Sequence, residues 1–392
     1  MRRQVSLFTG SFFQNQEKVF GVFISRLIFQ NFRNFEHDSF SLGAETNCIW
    51  GGNGAGKSNL LEAIFLLTTG RPSKATRDGE LIRFGENVGR VEARVQKQGR
   101  ELILEAALER VENFYARKTL KFNNQPIRKL SELLGQVKVV LFTPQDAATI
   151  QGEPSLRRRL IDLALSQISS TYLHHLQQYQ AVREQRNSLL KRPHASSELI
   201  PWNLQLIEFG SQVLLKRLDF IPHLCSIART IHFELSDGET LALSYEPSFF
   251  VPESIALGTI QEAFEKALQM TAEEESYRKN TLVGPHRDDL GITLDGIDAR
   301  LFGSQGQQKT VALSLKLALG RLFAELDHES PVYLLDDCFS ELDPLRQEAV
   351  KRIFEPGSQS VLTFALPPPP SLQSTHLFEL KVKERGLPLR TP

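Results

Sequence analysis

The sequence predicts an α/β fold with a phosphate-binding loop and an inserted, mostly helical second lobe. A glycine-rich loop ending in Lys57 and Ser58 stands between an apolar strand and an apolar helix, an arrangement in which the backbone cradles phosphate. An apolar strand at 331–335 ends in two aspartates. Between these motifs, from about residue 150, apolar residues recur every three or four positions, which indicates helices. We therefore expect one nucleotide-binding domain that is split by a helical insertion.

The chain of 392 residues is long enough for two or three domains. We expect residues 21–150 and 281–392 to form the nucleotide-binding lobe and residues 151–280 to form the inserted lobe. Polar residues interrupt any apolar core of a signal peptide within residues 1–20. We therefore predict that this segment is an N-terminal extension outside the fold. A start codon assigned too far upstream would look the same.

Composition limits the classes of protein to which the chain can belong. The formal net charge is zero, so nucleic-acid binding must rest on local basic clusters. The three cysteines lack the spacing of a metal site, which favours buried thiols in a reducing cytoplasm. No apolar stretch approaches the ~20 residues of a membrane span. We expect a cytoplasmic protein without a membrane partner.

Strands dominate the first part of the chain. Period-two alternation and short apolar runs mark them, and a hairpin turn is predicted at 123–126. The predicted strands are 22–30, 40–42, 47–50, several across 88–122, and the apolar run 137–142, which has the character of a buried parallel strand.

Helices are predicted from residue 155 onward. One long helix is expected over 155–191, ended by Pro193, and a second over 202–218. A hairpin is then predicted, pairing 231–235 with 241–245 around Asp237-Gly238. The remaining elements are a helix at 260–270, a turn at Asp295-Gly296, a helix over 311–319, a strand at 360–363 and a final strand at 376–382.

The phosphate loop is the most specific motif. Its glycines let successive N–H groups point at one anion, and the following helix directs its positive end to the same place. Lys57 is expected to reach the β- and γ-phosphates, and the Ser58 hydroxyl to ligand Mg²⁺. A glycine-rich turn without a ligand is the alternative. The predicted nucleotide-binding residues are Gly51, Gly52, Asn53, Gly54, Ala55, Gly56, Lys57 and Ser58.

Two further motifs complete the predicted site. Asp336 is expected on the Mg²⁺ side and Asp337 as the base that polarises the attacking water; alone, paired acids at a strand end are more often solvated. The segment 302–310 places small and amide residues before a helix, which can form a second anion site. That loop reaches an enclosed phosphate only by folding back or by coming from a second molecule. A plain N-cap at Ser304 is the alternative.

Together these motifs resemble the ABC-type ATPases of the SMC class and, more closely, the bacterial RecF family of DNA replication and repair proteins. The resemblance runs from about residue 22 to 345 and rests on five segments: 31–35, 53–64, 282–289, 304–308 and 336–343. It implies an ABC-type P-loop ATPase head, a mixed sheet with helices, that binds ATP and Mg²⁺ and forms an ATP-dependent homodimer.

The resemblance also implies roles for single residues. Ser304 and Gln307 would serve as the signature loop, touching the γ-phosphate on the other subunit. Gln145 would sense Mg²⁺ and the attacking water, so Asp337, Gln145 and Ser304 are the expected catalytic residues. Asp343 would lie in a loop across the dimer interface, and Arg71 would approach the nucleotide, although a solvated helix end suits it equally.

One segment departs from the family pattern. ABC-type heads carry a polar switch residue after the Asp-Asp strand, where this chain has Thr363 followed by Phe364 and a proline run at 367–370. Thr363 is the candidate for the role, and the departure implies either slow turnover or a reorganised last strand of the sheet. The role of the cluster His286, Arg287 and Asp288 stays open between a buried hydrogen-bonded cluster and catalysis.

The implied function is recombinational DNA repair and replication. The protein would dimerise on ATP at gapped or single-strand/duplex DNA, act with RecR and RecO, and support RecA loading and SOS induction, with weak DNA-stimulated ATP hydrolysis. An ATP-gated clamp or scaffold with little or no hydrolysis is the alternative. The candidate DNA contacts, which could equally be solvated charges, are Arg157, Arg158, Arg159, Lys118 and Lys121.

Overall fold

The computed structural model describes residues 21–381, except 113, 237, 253–254, 338, 340–341, 343, 355–356, 370–371 and 373–375. The predicted extension at 1–20 lies outside the described residues, as do Asp237 of the predicted hairpin turn and Asp343. The predicted domain boundaries stay predictions.

The described residues form strands at both ends of the chain and helices in its middle. The strands are β1 (Val22–Phe32), β2 (Phe35–Ser41), β3 (Thr46–Trp50), β4 (Val88–Lys97), β5 (Arg100–Glu112), β6 (Tyr115–Phe122), β7 (Gln125–Pro126), β8 (Val139–Phe142), β9 (Leu241–Glu246), β10 (Asp289–Leu294), β11 (Ile297–Asp298), β12 (Val332–Leu335), β13 (Ser360–Phe364) and β14 (His376–Glu379). The helices are α1 (Lys57–Thr69), α2 (Ala148–Gln151), α3 (Pro154–Ile168), α4 (Ser170–Leu190), α5 (Ser196–Leu235), α6 (Leu257–Arg278), α7 (Ala299–Phe302), α8 (Gln305–Asp327) and α9 (Pro344–Ile353). Short 3-10 turns lie at Asp78–Leu81, Leu130–Glu132 and Pro144–Ala147.

Two large sheets lie on opposite sides of the phosphate-loop helix α1. The first is antiparallel, with the order β2-β1-β4-β5-β6-β7, and the second is parallel, with the order β14-β3-β13-β12-β8. Apolar side chains of α1 and of both sheets form one core, and Leu60, Ile64 and Leu66 are fully buried in it. Because α1 is apolar nearly all round, it can be enclosed on both faces. The predicted strand 47–50 is confirmed, and the run 137–142, predicted to be a buried parallel strand, forms one over Val139–Phe142.

Helix α8 covers the other face of the parallel sheet, and its Gly320 allows close contact with that sheet. A Cβ at Gly320 would collide with the ring and hydroxyl of Tyr333 in β12, which is fully buried. This close approach positions the N-terminal end of α8, which carries Ser304, relative to the carboxylate end of β12.

The helix α5 corrects the predicted hairpin. Residues 231–235 alternate as a strand would, yet they continue α5 to Leu235. Within that segment, Ile231, His232 and Leu235 are buried while Phe233 is 58% exposed, a helical and not a strand periodicity. Strand β9 therefore pairs not with 231–235 but with β10.

The predicted helix over 155–191 is two helices. Helix α3 ends at Ile168, Ser169 adopts an extended conformation, and its hydroxyl accepts a hydrogen bond from the backbone N–H of Tyr172, which caps α4. A serine at this position satisfies an otherwise free N–H group and so favours a new helix start. The predicted turns at 123–126 and at Asp295-Gly296 are confirmed.

Within the described residues, the helices all fall short of the length and apolarity required to cross a membrane.

Candidate nucleotide-binding site

The phosphate loop connects β3 to α1 as predicted. Gly54 and Gly56 have φ angles of 83° and 107°, a left-handed conformation that favours glycine. The side-chain amide of Asn34 donates a hydrogen bond to the Ala55 carbonyl at 2.9 Å and accepts one from Asn59 at 2.8 Å. A Cβ at Gly56 would collide with the Asn34 amide. Asn34 therefore braces the loop from the β1–β2 turn, a role that the sequence did not reveal.

Lys57 and Ser58 occupy the first turn of α1. The Lys57 ammonium donates to the Gly51 carbonyl at 2.7 Å and to the Gly52 carbonyl at 3.2 Å. The Ser58 hydroxyl donates to Oδ1 of Asp336 at 2.8 Å. The structure thus brings the hydroxyl of the phosphate loop together with the first carboxylate, which was predicted from a separate motif.

The two carboxylates follow β12, which is separated from β3 by β13. Thr363 of β13 joins them: its hydroxyl donates to Oδ1 of Asp336 and accepts from the backbone N–H of Asp337, each at 2.9 Å. Asp337 has a φ of 52°, and its carboxylate accepts from the Ala365 N–H at 3.2 Å. Thr363 therefore positions both aspartates, while Phe364 is buried in the core against Phe339.

These residues line an open cleft of about 260 Å³, which we call the phosphate-loop cleft. Its lining comprises Asn53, Gly54, Gly56, Lys57, Ser58, Asn59, Asp336 and Asp337. The hydroxyl of Ser58 and the carboxylate of Asp336 are hard oxygen donors, which suit Mg²⁺. The described residues contain no group of three or more acidic, histidine or cysteine side chains that could hold a metal. The donor set therefore fits an ion whose remaining ligands are phosphate oxygens and water.

Lys74 is a member of the site that sequence reasoning missed. Its ammonium lies 2.8 Å from Oδ2 of Asp336 and forms an ion pair with it. Glu62 of α1 holds the preceding segment, since its carboxylate accepts from the backbone N–H groups of Lys74 and Ala75 at 3.1 Å. Arg33 in turn pairs with Glu62 at 2.8 Å. Asp336 therefore accepts from two hydroxyls, those of Ser58 and Thr363, on one oxygen and faces the Lys74 ammonium on the other.

The other predicted nucleotide contacts lie outside this cleft. Arg71 is exposed beyond the end of α1 and lines a different cavity. Gln145 is exposed on the 3-10 turn that follows β8. Ser304 is the N-cap of α8 and accepts from the Gln307 N–H at 3.2 Å, while the Gln307 amide donates to Glu239 at 2.6 Å. None of these four residues lines the phosphate-loop cleft.

The predicted DNA contacts divide into buried and exposed residues. Arg157 is 2% exposed and pairs with Asp289 at 2.7 Å, an arrangement that disfavours its predicted contact with DNA. Arg158 is half-buried and donates to the Asp288 carbonyl at 2.6 Å, while Arg159 is exposed. Lys118 and Lys121 each form an ion pair at 2.9 Å, with partners Asp78 and Glu105 respectively.

The cluster around His286 is a buried hydrogen-bonded network that joins α4, β9 and the segment before β10. The His286 ring lies 2.6 Å from the Tyr179 hydroxyl, and burial lowers the pKa of His286 to about 3. Asp288 is fully buried and accepts from the Tyr245 hydroxyl at 2.6 Å and from the Ser248 N–H at 2.7 Å. None of these groups lines the phosphate-loop cleft, which favours the structural interpretation over the catalytic one.

Comparison with known proteins identifies the family. The family described as RecF/RecN/SMC N terminal domain matches residues 23–368. The DNA replication and repair protein RecF of Bacillus cytotoxicus is 40% identical over 87% of this chain and 91% of its own. RecF of Bacillus mycoides is 39% identical over 87% of this chain and 92% of its own.

Solved structures agree with this assignment. The recombination mediator protein RecF of the RecFOR pathway, in its ATP form, has a TM-score of 0.84 and 31% identity, covering 92% of this chain and 98% of its own. The head of an SMC protein bound to the C-winged helix domain of ScpA has a TM-score of 0.51 at 16% identity, covering 88% and 90%, a likeness of fold alone. The predicted ABC-type head is therefore confirmed, and the chain belongs to the RecF family.

Proposed function

We propose that this protein binds ATP with Mg²⁺ in the phosphate-loop cleft and uses the nucleotide to join two copies on DNA during replication and recombinational repair. The hydrogen bond between Ser58 and Asp336 is the observation that carries the proposal, because it assembles the loop and the carboxylate that P-loop ATPases place around the metal. The ATP form of a 31% identical relative supports the choice of nucleotide.

Dimerisation is supported by the openness of the cleft and the position of Ser304. Ser304 is exposed at the start of a helix of 23 residues, and no residue of its loop lines the phosphate-loop cleft of the same chain. The free N–H groups of a helix N-terminus attract anions. Ser304 and Gln307 would therefore contact the γ-phosphate held by a second copy, while Arg71 and Gln145 would approach only after closure.

Mass in solution tests this step. Light scattering would be recorded without nucleotide, with ADP and with ATP, on the native protein, Ser304→Arg and the control Ser197→Arg, which adds the same charge at an exposed position on α5. We expect a dimer with ATP only, lost in Ser304→Arg and retained in Ser197→Arg. A monomer in every case, with ATP demonstrably bound, would contradict an ATP-dependent homodimer.

The hydrolytic step is assigned to Asp337. Its carboxylate lies in the phosphate-loop cleft and is held by the end of β13, where it would polarise water for attack on the γ-phosphate. We expect weak, DNA-stimulated turnover. Asp337→Asn is the matched test, because asparagine also tolerates the left-handed backbone at this position. Loss of phosphate release with retained ATP binding supports the assignment, and unchanged release would refute it.

A clamp with little or no hydrolysis is the second candidate, and the position of Thr363 favours it. The Thr363 hydroxyl is committed to Asp336 and Asp337, and Phe364 is buried, so no polar side chain from this strand end is free to touch the γ-phosphate. Single-turnover phosphate release on the ATP-bound dimer separates the candidates. A dimer that persists with no release would favour the clamp.

We infer that the DNA is single-stranded or gapped and that RecR and RecO act with this protein in the cytoplasm, supporting RecA loading and SOS induction. Two solved RecF relatives are assigned to the RecFOR pathway. Arg158 and Arg159 are the remaining candidates on α3, and Lys118 and Lys121 would contribute only by leaving their ion pairs. Fluorescence anisotropy of gapped and intact duplexes, with ATP, tests the preference: equal affinity for both would contradict it.

A further inference from the structure

A second polar cavity lies between the end of α1 and the facing helices α3 and α4. Its volume is about 270 Å³, and we call it the interlobe cavity. Five arginines line it: Arg71 after α1, Arg158 and Arg159 on α3, Arg183 on α4, and Arg217 on α5. No residue of the phosphate-loop cleft takes part in it, so the two sites are separate.

The positive charge of this cavity is not balanced within the described residues. Asp162 is its one acidic lining residue, and the Asp162 carboxylate is already bonded to Arg217 at 2.7 Å and to the Tyr172 hydroxyl at 2.5 Å. Arg71, Arg159 and Arg183 have no carboxylate within ion-pair distance in the part of the chain that the structure describes. The fully buried Asp288 accepts hydrogen bonds from Tyr245 and Ser248.

One of these arginines has a donor without an acceptor. The Nε–H of Arg183 is shielded from solvent and makes no hydrogen bond with the described residues. A buried hydrogen-bond donor without an acceptor costs on the order of 1–3 kcal/mol of stability, and more when the group is charged. The unpaired Nε–H of Arg183 therefore suits a ligand that supplies the missing acceptor. Burial, and to a smaller extent repulsion from Arg217, lowers the pKa of Arg158, because both disfavour the charged form of the guanidinium.

We propose that the interlobe cavity binds a phosphoryl anion, held by Arg158, Arg159 and Arg183. Planar guanidinium groups pair with phosphate oxygens through two parallel hydrogen bonds, and several of them can share the three oxygens of one phosphoryl group. The source is either a free di- or oligophosphate or a phosphate of a DNA strand. The inference goes beyond ATP binding in the phosphate-loop cleft and does not depend on it.

Calorimetric titration with inorganic pyrophosphate tests the proposal. The protein carries Lys57→Ala, so that binding at the phosphate loop is removed. We expect one equivalent to bind, with affinity lowered about tenfold or more in Arg183→Gln and in Arg159→Gln, since each loses a charged hydrogen-bond pair. Arg192→Gln, the same change at an exposed position after α4, is the matched control and should bind like its parent.

Two results would overturn the proposal: no binding by the Lys57→Ala protein, or equal affinities for all three arginine variants. Arg159 is exposed and pairs with no carboxylate among the described residues, so its variant stays informative if Arg183→Gln fails to fold. A repeat titration after saturation with a 5′-phosphorylated oligonucleotide identifies the source. If the oligonucleotide abolishes pyrophosphate binding, and this competition requires Arg183, the site is assigned to a phosphate of a DNA strand. If pyrophosphate binding is undisturbed, the site is assigned to a free phosphate compound.

Discussion

Ser58 and Asp336 are separated by 278 positions in the chain and by 2.8 Å in the structure. This hydrogen bond links the first turn of α1 to the end of β12, and Thr363 adds a second contact to the same carboxylate oxygen. Two hydroxyls thus fix the orientation of one carboxylate. Preorganised ligands of this kind lower the cost of binding an ion.

The first prediction concerns the Mg²⁺ requirement. Asp336→Asn keeps the shape of the side chain but removes its charge, so we expect the affinity for Mg²⁺ in the presence of ATP to fall at least about tenfold. Binding of ATP in EDTA should change little, because Lys57 and the loop backbone remain. Titration of Mg²⁺ against a fluorescent ATP analogue measures both, and Thr363→Val, which removes one hydroxyl, should give a smaller loss.

The second prediction concerns Lys74, whose ammonium occupies Oδ2 of Asp336. A cation at this carboxylate competes with a metal ion for the same negative charge. In Lys74→Met we therefore expect half-saturation at a lower Mg²⁺ concentration, by a few-fold, since Lys74 is partly exposed and its pair is weak. The same titration detects the shift, and Lys381→Met, another surface lysine, is the control. A higher Mg²⁺ requirement would show that Lys74 assists the metal.

The third prediction separates stability from DNA binding on α3. Arg157→Met removes one partner of a buried ion pair and leaves Asp289 without its guanidinium, which costs about 3–5 kcal/mol. Urea unfolding should show this loss. Arg159→Met, two positions along the same helix but exposed, should stay within about 0.5 kcal/mol of the native protein. Equal stabilities would mean that the Arg157 pair contributes nothing net.

Arg157 also shows why part of the site could not be read from the sequence. Arg157, Arg158 and Arg159 are identical in type and adjacent, yet one is buried, one half-buried and one exposed. Which of them is buried depends on the position of Asp289, contributed by β10. A local pattern carries no information about such a partner. Lys74 was missed for the same reason, since nothing in its neighbours points to Asp336.

The features predicted well are those determined locally. The loop at 51–58 is predictable because the spacing of its glycines fixes its backbone. The apolar run that follows fits only a helix that is buried on nearly all sides. The hairpin predicted over 231–245 failed because apolar residues at 231, 233 and 235 satisfy a strand pattern while 224, 228, 231 and 235 satisfy a helical one. In the helical arrangement α5 packs against α8, where Nδ1 of His232 lies 3.0 Å from the Ser314 hydroxyl.

The fourth prediction concerns the contact between α8 and the parallel sheet. Gly320→Ala improves helix propensity but places a methyl group against the Tyr333 ring, so we expect a net loss of about 1–3 kcal/mol. Chemical denaturation gives the value. The double variant Gly320→Ala with Tyr333→Leu makes room for the methyl group and should recover part of the loss relative to Tyr333→Leu alone. A stabilised single variant would contradict the close contact.

The fifth prediction concerns pH. Burial lowers the pKa of His286 to about 3, below the ordinary value of about 6.5. Between these values the unfolded chain binds a proton that the folded chain does not, so stability falls as the pH decreases. From pH 7.5 to 5.5 the contribution is about 1 kcal/mol.

Unfolding of His286→Asn across the same range should show a shallower dependence by that amount. His232 and His175, whose pKa values are also lowered mainly by burial, keep part of the slope. The variant His223→Asn, at an exposed position, should retain the full dependence. Identical slopes for His286→Asn and the native protein would show that His286 titrates normally.

The order of the parallel sheet has a consequence for how the chain is made. The strand that leads into the phosphate loop, β3, is flanked by β13 and β14, both from the last part of the chain. During synthesis β3 leaves the ribosome long before either neighbour exists, and pairing across such separations is slow. A chain cut short before Ser360 therefore lacks both strands that flank the one leading into the phosphate loop.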